Sequence, residues 1–326
     1  MILLTGGAGF IGSNLLGALA AAGAEVAVVD RLRGGVKWRN IARHPIAAIV
    51  EPEELWDFIG SEPPIRAVVH LGAISATTAT DGDLVARTNI TLSQRLWEWC
   101  ADAELPFLYA SSAATYGDGR QGFDDAFSAE ALARLRPLNL YGWSKHAFDR
   151  WVARQLAESR PAPPAWLGLK FFNVYGPNEY HKGAMISVVK VKHDELAAGR
   201  PARLFRSDRP GLADGEQRRD FVWVGDCVAA MTWWLAADEA PCGLFNLGTG
   251  RARSYRGLVS ALAGAMGVED RVEWIDMPAS LQGQYQSFTE ARMDRLRAAG
   301  FARPFTPLEE GIARYVAALR AGDGHV

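Results

Sequence analysis

Short runs of consecutive apolar, often β-branched residues alternate along the chain with longer stretches whose apolar positions recur every three to four residues. Strands buried on both faces of a parallel sheet read as continuous apolar segments, and amphipathic helices carry the 3.6-residue period. The alternation therefore predicts βαβ units, with strands at 1–5, 25–30, 66–70, 107–111 and 166–172 and helices at 13–22, 84–100 and 141–158. Gly23 suits the position just past the first helix. The expected fold class is α/β, a doubly wound parallel sheet.

After Phe172 the alternation breaks. A glycine- and proline-bearing stretch at 175–183 leads to a helix ending near 198, followed by a polar, arginine-rich loop at 203–219. Loops of that length inside a compact domain are usually functional or disordered. Strand-like segments at 221–224 and 243–247 are expected to rejoin the main sheet, while 254–266, 272–277 and 307–319 predict a smaller mixed α/β part.

Composition narrows the function. The 326 residues include 35 Lys and Arg against 37 Asp and Glu, a net charge of −2, with 49% hydrophobic content. That is chain enough for one large or two modest domains with a proper core. A balance so close to zero offers no global field for nucleic acid or an anionic membrane, so neither is an expected partner, and any bound anion must be held by a local cluster. The three cysteines, Cys100, Cys227 and Cys242, are widely spaced and lack a CxxC pair. They suggest neither a disulfide framework nor a metal site and are expected to be buried free thiols. No apolar run approaches the ~18–20 residues that span a bilayer, and no basic leader precedes the first strand, so a cytoplasmic protein is expected.

Chemistry begins at the first strand-to-helix turn, Thr5-Gly6-Gly7-Ala8-Gly9-Phe10-Ile11-Gly12. Glycines at 6, 9 and 12 allow bare backbone N–H groups to approach a pyrophosphate at the positive end of a helix. Asp30, 18 residues past Gly12 and closing the second strand, stands where a ribose hydroxyl would be held. Asp30 favours the free 2′-hydroxyl of NAD, whereas Arg31, Arg33 and Lys37 could neutralise the 2′-phosphate of NADP. The expected division is a dinucleotide-binding Rossmann domain of 1–172 plus about 221–250, and a substrate-binding domain of about 173–220 plus 251–326. His70-Leu71-Gly72-Ala73-Ile74-Ser75 ends a strand at the sheet edge where such folds bind ligands, with His70 itself read as a satisfied structural histidine.

The catalytic candidate is Tyr141-Gly142-Trp143-Ser144-Lys145, with Ser112 upstream. Positions i and i+4 share a helical face, so the lysine ammonium is expected beside the phenol, lowering its pKa from about 10 toward neutrality. A phenolate so tuned is a general base for an alcohol.

Gly6, Gly9, Gly12, Ser112, Tyr141 and Lys145 together resemble the extended short-chain dehydrogenase/reductases, the NAD(P)-dependent sugar-nucleotide epimerases and dehydratases. Further strings narrow the likeness: Phe172-Asn173-Val174-Tyr175-Gly176-Pro177, His181-Lys182-Gly183, Arg219-Asp220-Phe221-Val222, Phe245-Asn246-Leu247-Gly248-Thr249-Gly250 and Gly283-Gln284-Tyr285-Gln286. They are similar to those of the ADP-heptose 6-epimerases, a likeness that spans nearly the whole chain. The resemblance implies an ADP-heptose or related nucleotide-sugar substrate, NADP as cofactor with NAD the other possibility, and a homo-oligomer. It also implies cofactor contacts from Phe10, Ile11, Asp30, Arg31, Lys37, Leu71, Gly72, Ala73, Ile74, Ser75, Asn89, Lys145 and Val174. Tyr141 and Lys182 become the two acid/base groups, with Ser112 a hydrogen-bond donor to the reacting oxygen. Asn173, Phe205, Arg206, Ser207, Asp208, Arg219 and Tyr285 become substrate contacts.

This chain departs from the family pattern in four places. Glu51-Pro52-Glu53 stands where the family has a lysine after the third strand, and Ala184 where it has a serine. Val191 replaces a histidine, and the loop at 206–218 is longer. A 4,6-dehydratase of the same family would need an Asp-Glu pair directly after Ser112, where this chain has Ala113-Ala114.

Overall fold

The computed structural model of the chain describes residues 1–278, 286–322 and 324–326. Six strands come early: β1 (Ile2–Thr5), β2 (Val26–Val29), β3 (Ala48–Val50), β4 (Ala67–His70), β5 (Phe107–Ser112) and β6 (Trp166–Phe171). Later come β7 (Asn173–Tyr175), β8 (Ala202–Phe205), β9 (Arg218–Arg219), β10 (Phe221–Trp223), β11 (Gly243–Leu247), β12 (Arg253–Ser254) and β13 (Val272–Ile275). One seven-stranded sheet runs β11-β6-β5-β4-β1-β2-β3, every pair parallel. This is the doubly wound order with one strand added past β6. All four residues of β1, β2 and β4 are buried, as continuous apolar runs covered on both faces require.

The long helices are α1 (Phe10–Ala21), α4 (Leu92–Asp102) and α6 (Leu140–Ala157), then α7 (Val188–Ala197), α8 (Val224–Leu235), α9 (Tyr255–Met266) and α11 (Leu308–Arg320). The short ones are α2 (Leu55–Gly60), α3 (Gly82–Val85), α5 (Ala129–Ala133) and α10 (Asp294–Ala298). Helix α1 begins three residues earlier than the pattern predicts, because the end of the glycine-rich turn is already helical. The expected helix at 84–100 is three pieces, α3 and α4 joined through a π-helical turn at Ala86–Thr91.

Two cores result. The larger surrounds the seven-stranded sheet, with Trp97 meeting Phe107, Trp151 and Trp166 edge to face. The smaller gathers Val189, Leu204, Leu262, Ile312 and Tyr315 between α7, α9 and α11. Two sequence expectations are corrected. Segment 221–223 does not rejoin the main sheet, since β10 pairs with β7 in a separate two-stranded parallel ladder and Phe221 packs into the smaller core. Residues 291–301, expected in the second domain, return to the first: Ala291, Met293, Leu296 and Phe301 pack in the larger core, and Arg295 Nη1 donates to Leu244 O of β11 at 2.9 Å. The cysteines are free, Cys100 and Cys227 buried as expected, but Cys242 is exposed.

Register sets the site. Thr5 stands beside Val29 and His70, His70 beside Tyr109, and Ser112 beside Phe171. The carboxyl ends of β2, β1, β4, β5 and β6 therefore share one edge.

Candidate active site

A cleft of about 1430 Å³ opens along that edge, and Gly6, Gly9, Asp30, Tyr141, Lys182 and Arg219 all line it. Gly9 is the N-cap of α1 and no side chain caps the helix, so its first-turn N–H groups face the cleft uncovered. Gly12 is obligatory because a Cβ there would stand 2.2 Å from Gly6 O, backbone that cannot yield. A dinucleotide pyrophosphate fits this bare turn. Phe10 and Ile11 also line it, as do Leu71, Gly72, Ala73, Ile74 and Ser75 after β4.

Asp30 accepts from the N–H of Ala8 at 3.0 Å and from that of Arg31 at 2.8 Å, and Lys37 Nζ donates to it at 2.5 Å. Arg31 in turn pairs with Glu53. Cations and carboxylates thus stand together here, and all of them line the cleft with Arg33.

His70 is the expected structural histidine. Thr5 Oγ1 lies 2.7 Å from Nδ1 and Ser93 Oγ 2.9 Å from Nε2, while Gly72 N–H donates to Thr5 Oγ1 at 3.0 Å and Ser93 donates to Asn89 O at 2.8 Å. Burial holds its pKa down at about 3, with the Lys145 charge adding to the effect. Asn89, expected at the cofactor, is fully buried and does not line the cleft. It accepts from Ile74 N–H at 2.8 Å and donates to Ile74 O at 3.0 Å and Ser144 Oγ at 3.0 Å. Ser144 passes the link to Tyr141 O at 2.7 Å. Asn89 thereby ties the turn after β4 to the Tyr-x3-Lys helix.

Asn139 starts that helix, accepting from Gly142 N–H at 2.8 Å as N-cap. Tyr141 and Lys145 both face the cleft, with Ser112 at the end of β5. The expected lowering of the Tyr141 pKa is corrected: burial pushes it up, the Ser112 hydroxyl pulls it partly back and Asp149 opposes. Lys145 is itself buried, which pushes it down to about 8 against the pull of Asp149. The reason is that burial disfavours the phenolate by more than the hydrogen bond from Ser112 restores.

Asp149, a further turn along the same face, was not singled out in sequence. It accepts from Ser111 Oγ at 2.7 Å and Tyr109 Oη at 3.2 Å, and pairs with fully buried Lys170 at 3.2 Å. Its spacing of i+8 from Tyr141 is the only sequence signal it carries.

Lys182 also lines the cleft, its Nζ 5.1 Å from the Phe10 ring centroid. Burial pushes its pKa down and buried Glu179 partly restores it. Gly183 next to it sits at φ +54°, where a side chain would be strained, which lets the chain turn sharply after the lysine. Asn173, Val174 and Arg219 line the cleft as well. Arg219 is buried, its guanidinium 5.7 Å from the ring of Tyr255, a cleft residue that the sequence did not single out, as it did not Thr289; His181 and Gln286, quoted in motif strings without a role, line the cleft too.

Phe205, Arg206, Ser207 and Asp208 are not brought to the cleft. Strand β8 pairs with β13, and the following loop closes on Asp214, which pairs with Arg206 at 3.2 Å and accepts from Ser207 N–H at 2.8 Å. Tyr285 lies outside the described residues. Among the described residues no His/Cys/Asp/Glu group could hold a metal ion, and no helix is long and apolar enough to cross a membrane.

Residues 2–248 match the model of the NAD dependent epimerase/dehydratase family. A relative from Nitratidesulfovibrio vulgaris, named ADP-L-glycero-D-manno-heptose-6-epimerase, is 47% identical over 320 residues, covering 97% of each chain. One of the same name from Fusobacterium nucleatum is 42% identical, again covering 97% of each. The Helicobacter pylori ADP-L-glycero-D-manno-heptose-6-epimerase structure is 28% identical with a TM-score of 0.78, covering 98% of this chain and 96% of that one. A Thermus thermophilus UDP-glucose 4-epimerase in complex with NAD is 27% identical with a TM-score of 0.76, covering 98% and 99%. Doubly wound sheets serve many chemistries, but a bare pyrophosphate turn facing a Tyr-x3-Lys helix, in a chain that matches epimerases end to end, leaves one assignment: this chain belongs to the NAD dependent epimerase/dehydratase family.

Proposed function

We propose that the chain inverts C6″ of ADP-D-glycero-D-manno-heptose to the L-glycero epimer, supplying heptose for lipopolysaccharide core. The reading is supported by the placing of two proton-handling groups, Tyr141 and Lys182, in a single cleft with the glycine-rich turn. The relatives at 42–47% identity carry that activity in their names. A carbon bearing only hydroxyl and hydrogen, with no adjacent carbonyl, has no acidic C–H, so inversion requires oxidation to a ketone and reduction on the other face.

The bound nicotinamide dinucleotide supplies the hydride acceptor and donor. Gly6, Gly9, Gly12, Phe10 and Ile11 would hold its pyrophosphate, Asp30 its ribose, and Arg31 and Lys37 the 2′-phosphate of NADP. Tyr141, with Ser112 at its hydroxyl, takes the C6″ hydroxyl proton on one face, and Lys182 serves the oxygen on the other. With the Tyr141 phenol raised by burial in the protein alone, its deprotonation depends on charge brought in with the ligands and on Lys145. Arg219 would bind the substrate diphosphate, for which its planar guanidinium is suited. Asn173 would contact the sugar. We further infer that the protein works in the cytoplasm as a homo-oligomer.

Incubation with ADP-D-glycero-β-D-manno-heptose in D₂O, followed by NMR of the heptose, tests the reading. The C6″ epimer should form with its original hydrogen retained. Absence of the epimer, or deuterium at C6″, would refute it.

A further inference from the structure

The turn that carries Lys182 is fastened to the cofactor turn by side-chain amides. Asn14 Nδ2 donates to Phe10 O at 2.9 Å and Pro177 O at 3.0 Å, joining α1 to residue 177. Asn178 is fully buried at φ +71°, and its Nδ2 donates to Ser13 Oγ at 3.1 Å. Asn40 ends the short helical turn that begins at Lys37. Its Nδ2 lies 2.9 Å from Ala8 O, 3.0 Å from Asn178 O and 3.1 Å from His181 Nδ1.

Two of those three partners are carbonyls, so the amide nitrogen must point at them and its orientation is fixed. Asn40 is 1% exposed, and its Oδ1 has no hydrogen-bond partner among the described residues. An orphaned buried oxygen is a cost, and an apolar residue would avoid it. What only the amide offers is two N–H bonds that reach the glycine-rich turn and the 178–181 turn at once. His181 completes the fit. Its Nδ1 stands against that amide, and burial, with Lys37 and Lys182 nearby, pushes its pKa down to about 4, so the ring is neutral.

We propose that Asn40, acting through His181 and Asn178, is a positioning residue that sets the height of Lys182 over the cofactor turn. The inference rests on the reading that Lys182 serves one face of the substrate carbon. Lys182 is then located by the bed that holds the cofactor, independently of the helix that carries Tyr141.

Single-turnover oxidation of each epimer, followed by the absorbance of reduced nicotinamide at saturating cofactor, separates the two faces. Asn40→Ala should slow the epimer served by Lys182 by roughly 10–10²-fold, the scale of an ångström-sized misplacement, and leave the other unchanged. His181→Ala should do the same more mildly, and decides the matter if Asn40→Ala does not fold. Equal slowing of both epimers, or of neither, in these variants would overturn the positioning role while Lys182→Met still slows one. If Lys182→Met slows neither epimer, the two-base reading itself fails.

Discussion

Replacing Asp149 by asparagine keeps the side-chain volume and removes one buried charge. Asp149 is wholly buried and Lys170 is 1% exposed; their charged atoms are 3.2 Å apart, with Lys170 also donating to Thr115 Oγ1 at 2.6 Å and lying over the Tyr116 ring. Burial already pushes the Lys170 pKa down, and Asp149 is the main influence holding it up. The asparagine oxygen still accepts from Ser111 or Tyr109, but an N–H₂ group then turns toward an ammonium with no counter-charge. Breaking a buried pair in this way costs about 3–5 kcal/mol. At roughly 2 °C per kcal/mol for a chain of this size, Tm falls by about 6–10 °C.

Urea titration of wild type, Asp149→Asn, Lys170→Met and the double variant measures the cycle. The double variant should be more stable than Asp149→Asn, since the stranded cation has gone. Asp149 also raises the pKa of Lys145 one turn away, against the burial that holds it at about 8. Removing Asp149 therefore lowers Lys145 further, and the activity that needs its charge is lost at a lower pH as the solution is made basic. A loss of stability under about 1 kcal/mol, additivity of the two single variants within about 0.5 kcal/mol, or a basic limb that stays where it was would refute the reasoning.

Other perturbations probe separate parts of the site. Gly12→Ala forces a methyl against Gly6 O, so cofactor binding measured by calorimetric titration should be abolished and Tm lowered; binding at wild-type strength would show that the turn yields. Asn89→Ala releases Ile74 and Ser144 together, and cofactor affinity should fall about 10–100-fold, with loss of activity alone arguing against this tie. His70 is held at about 3 against an ordinary 6.5, so as pH falls below 6.5 the unfolded chain takes the proton first and stability drops. The slope from this group is up to about 1.4 kcal/mol per pH unit, and His70→Gln should flatten a stability profile between pH 6.5 and about 5 by that amount.

Much of the sheet was legible because strands covered on both faces leave continuous apolar runs, as in Val26-Ala27-Val28-Val29. The exposed Ile49 in β3 breaks that pattern, so the alternation does not predict β3, and only the family resemblance puts a third strand before Glu51. The fate of 221–223 was not legible either, since an apolar run does not say which ladder it joins; tertiary pairing with β7 decided it. At the site, Gly6, Gly12, Tyr141 and Lys145 could be read because their spacing is local to one turn or one helix. Asn40 and Asp149 could not, because their partners lie 138 and 141 residues away in one case and 38 and 40 in the other. Of the arginines of 203–219, Arg219 lines the cleft while Arg206 is engaged with Asp214, a division that charge density along the chain does not show.

The two groups proposed to handle protons, Tyr141 and Lys182, differ in what supports them. Tyr141 stands on α6, which is keyed to the sheet through Asp149, Ser111 and Lys170 and to the turn after β4 through Ser144 and Asn89. Lys182 stands on an irregular turn held by Asn14, Asn40 and Asn178, and tied to the smaller core by Glu179, which accepts from Ser187 Oγ at 2.6 Å and Tyr315 Oη at 2.9 Å. A reaction that presents one carbon to two faces gains from this separation. The sugar must turn between half-reactions while both groups stay fixed, and a shift of either support would favour one epimer's oxidation over the other's. Buried hydrogen bonds hold both supports in place, and a cofactor bound at the glycine-rich turn, which also anchors the Lys182 support, would give the two faces a common reference.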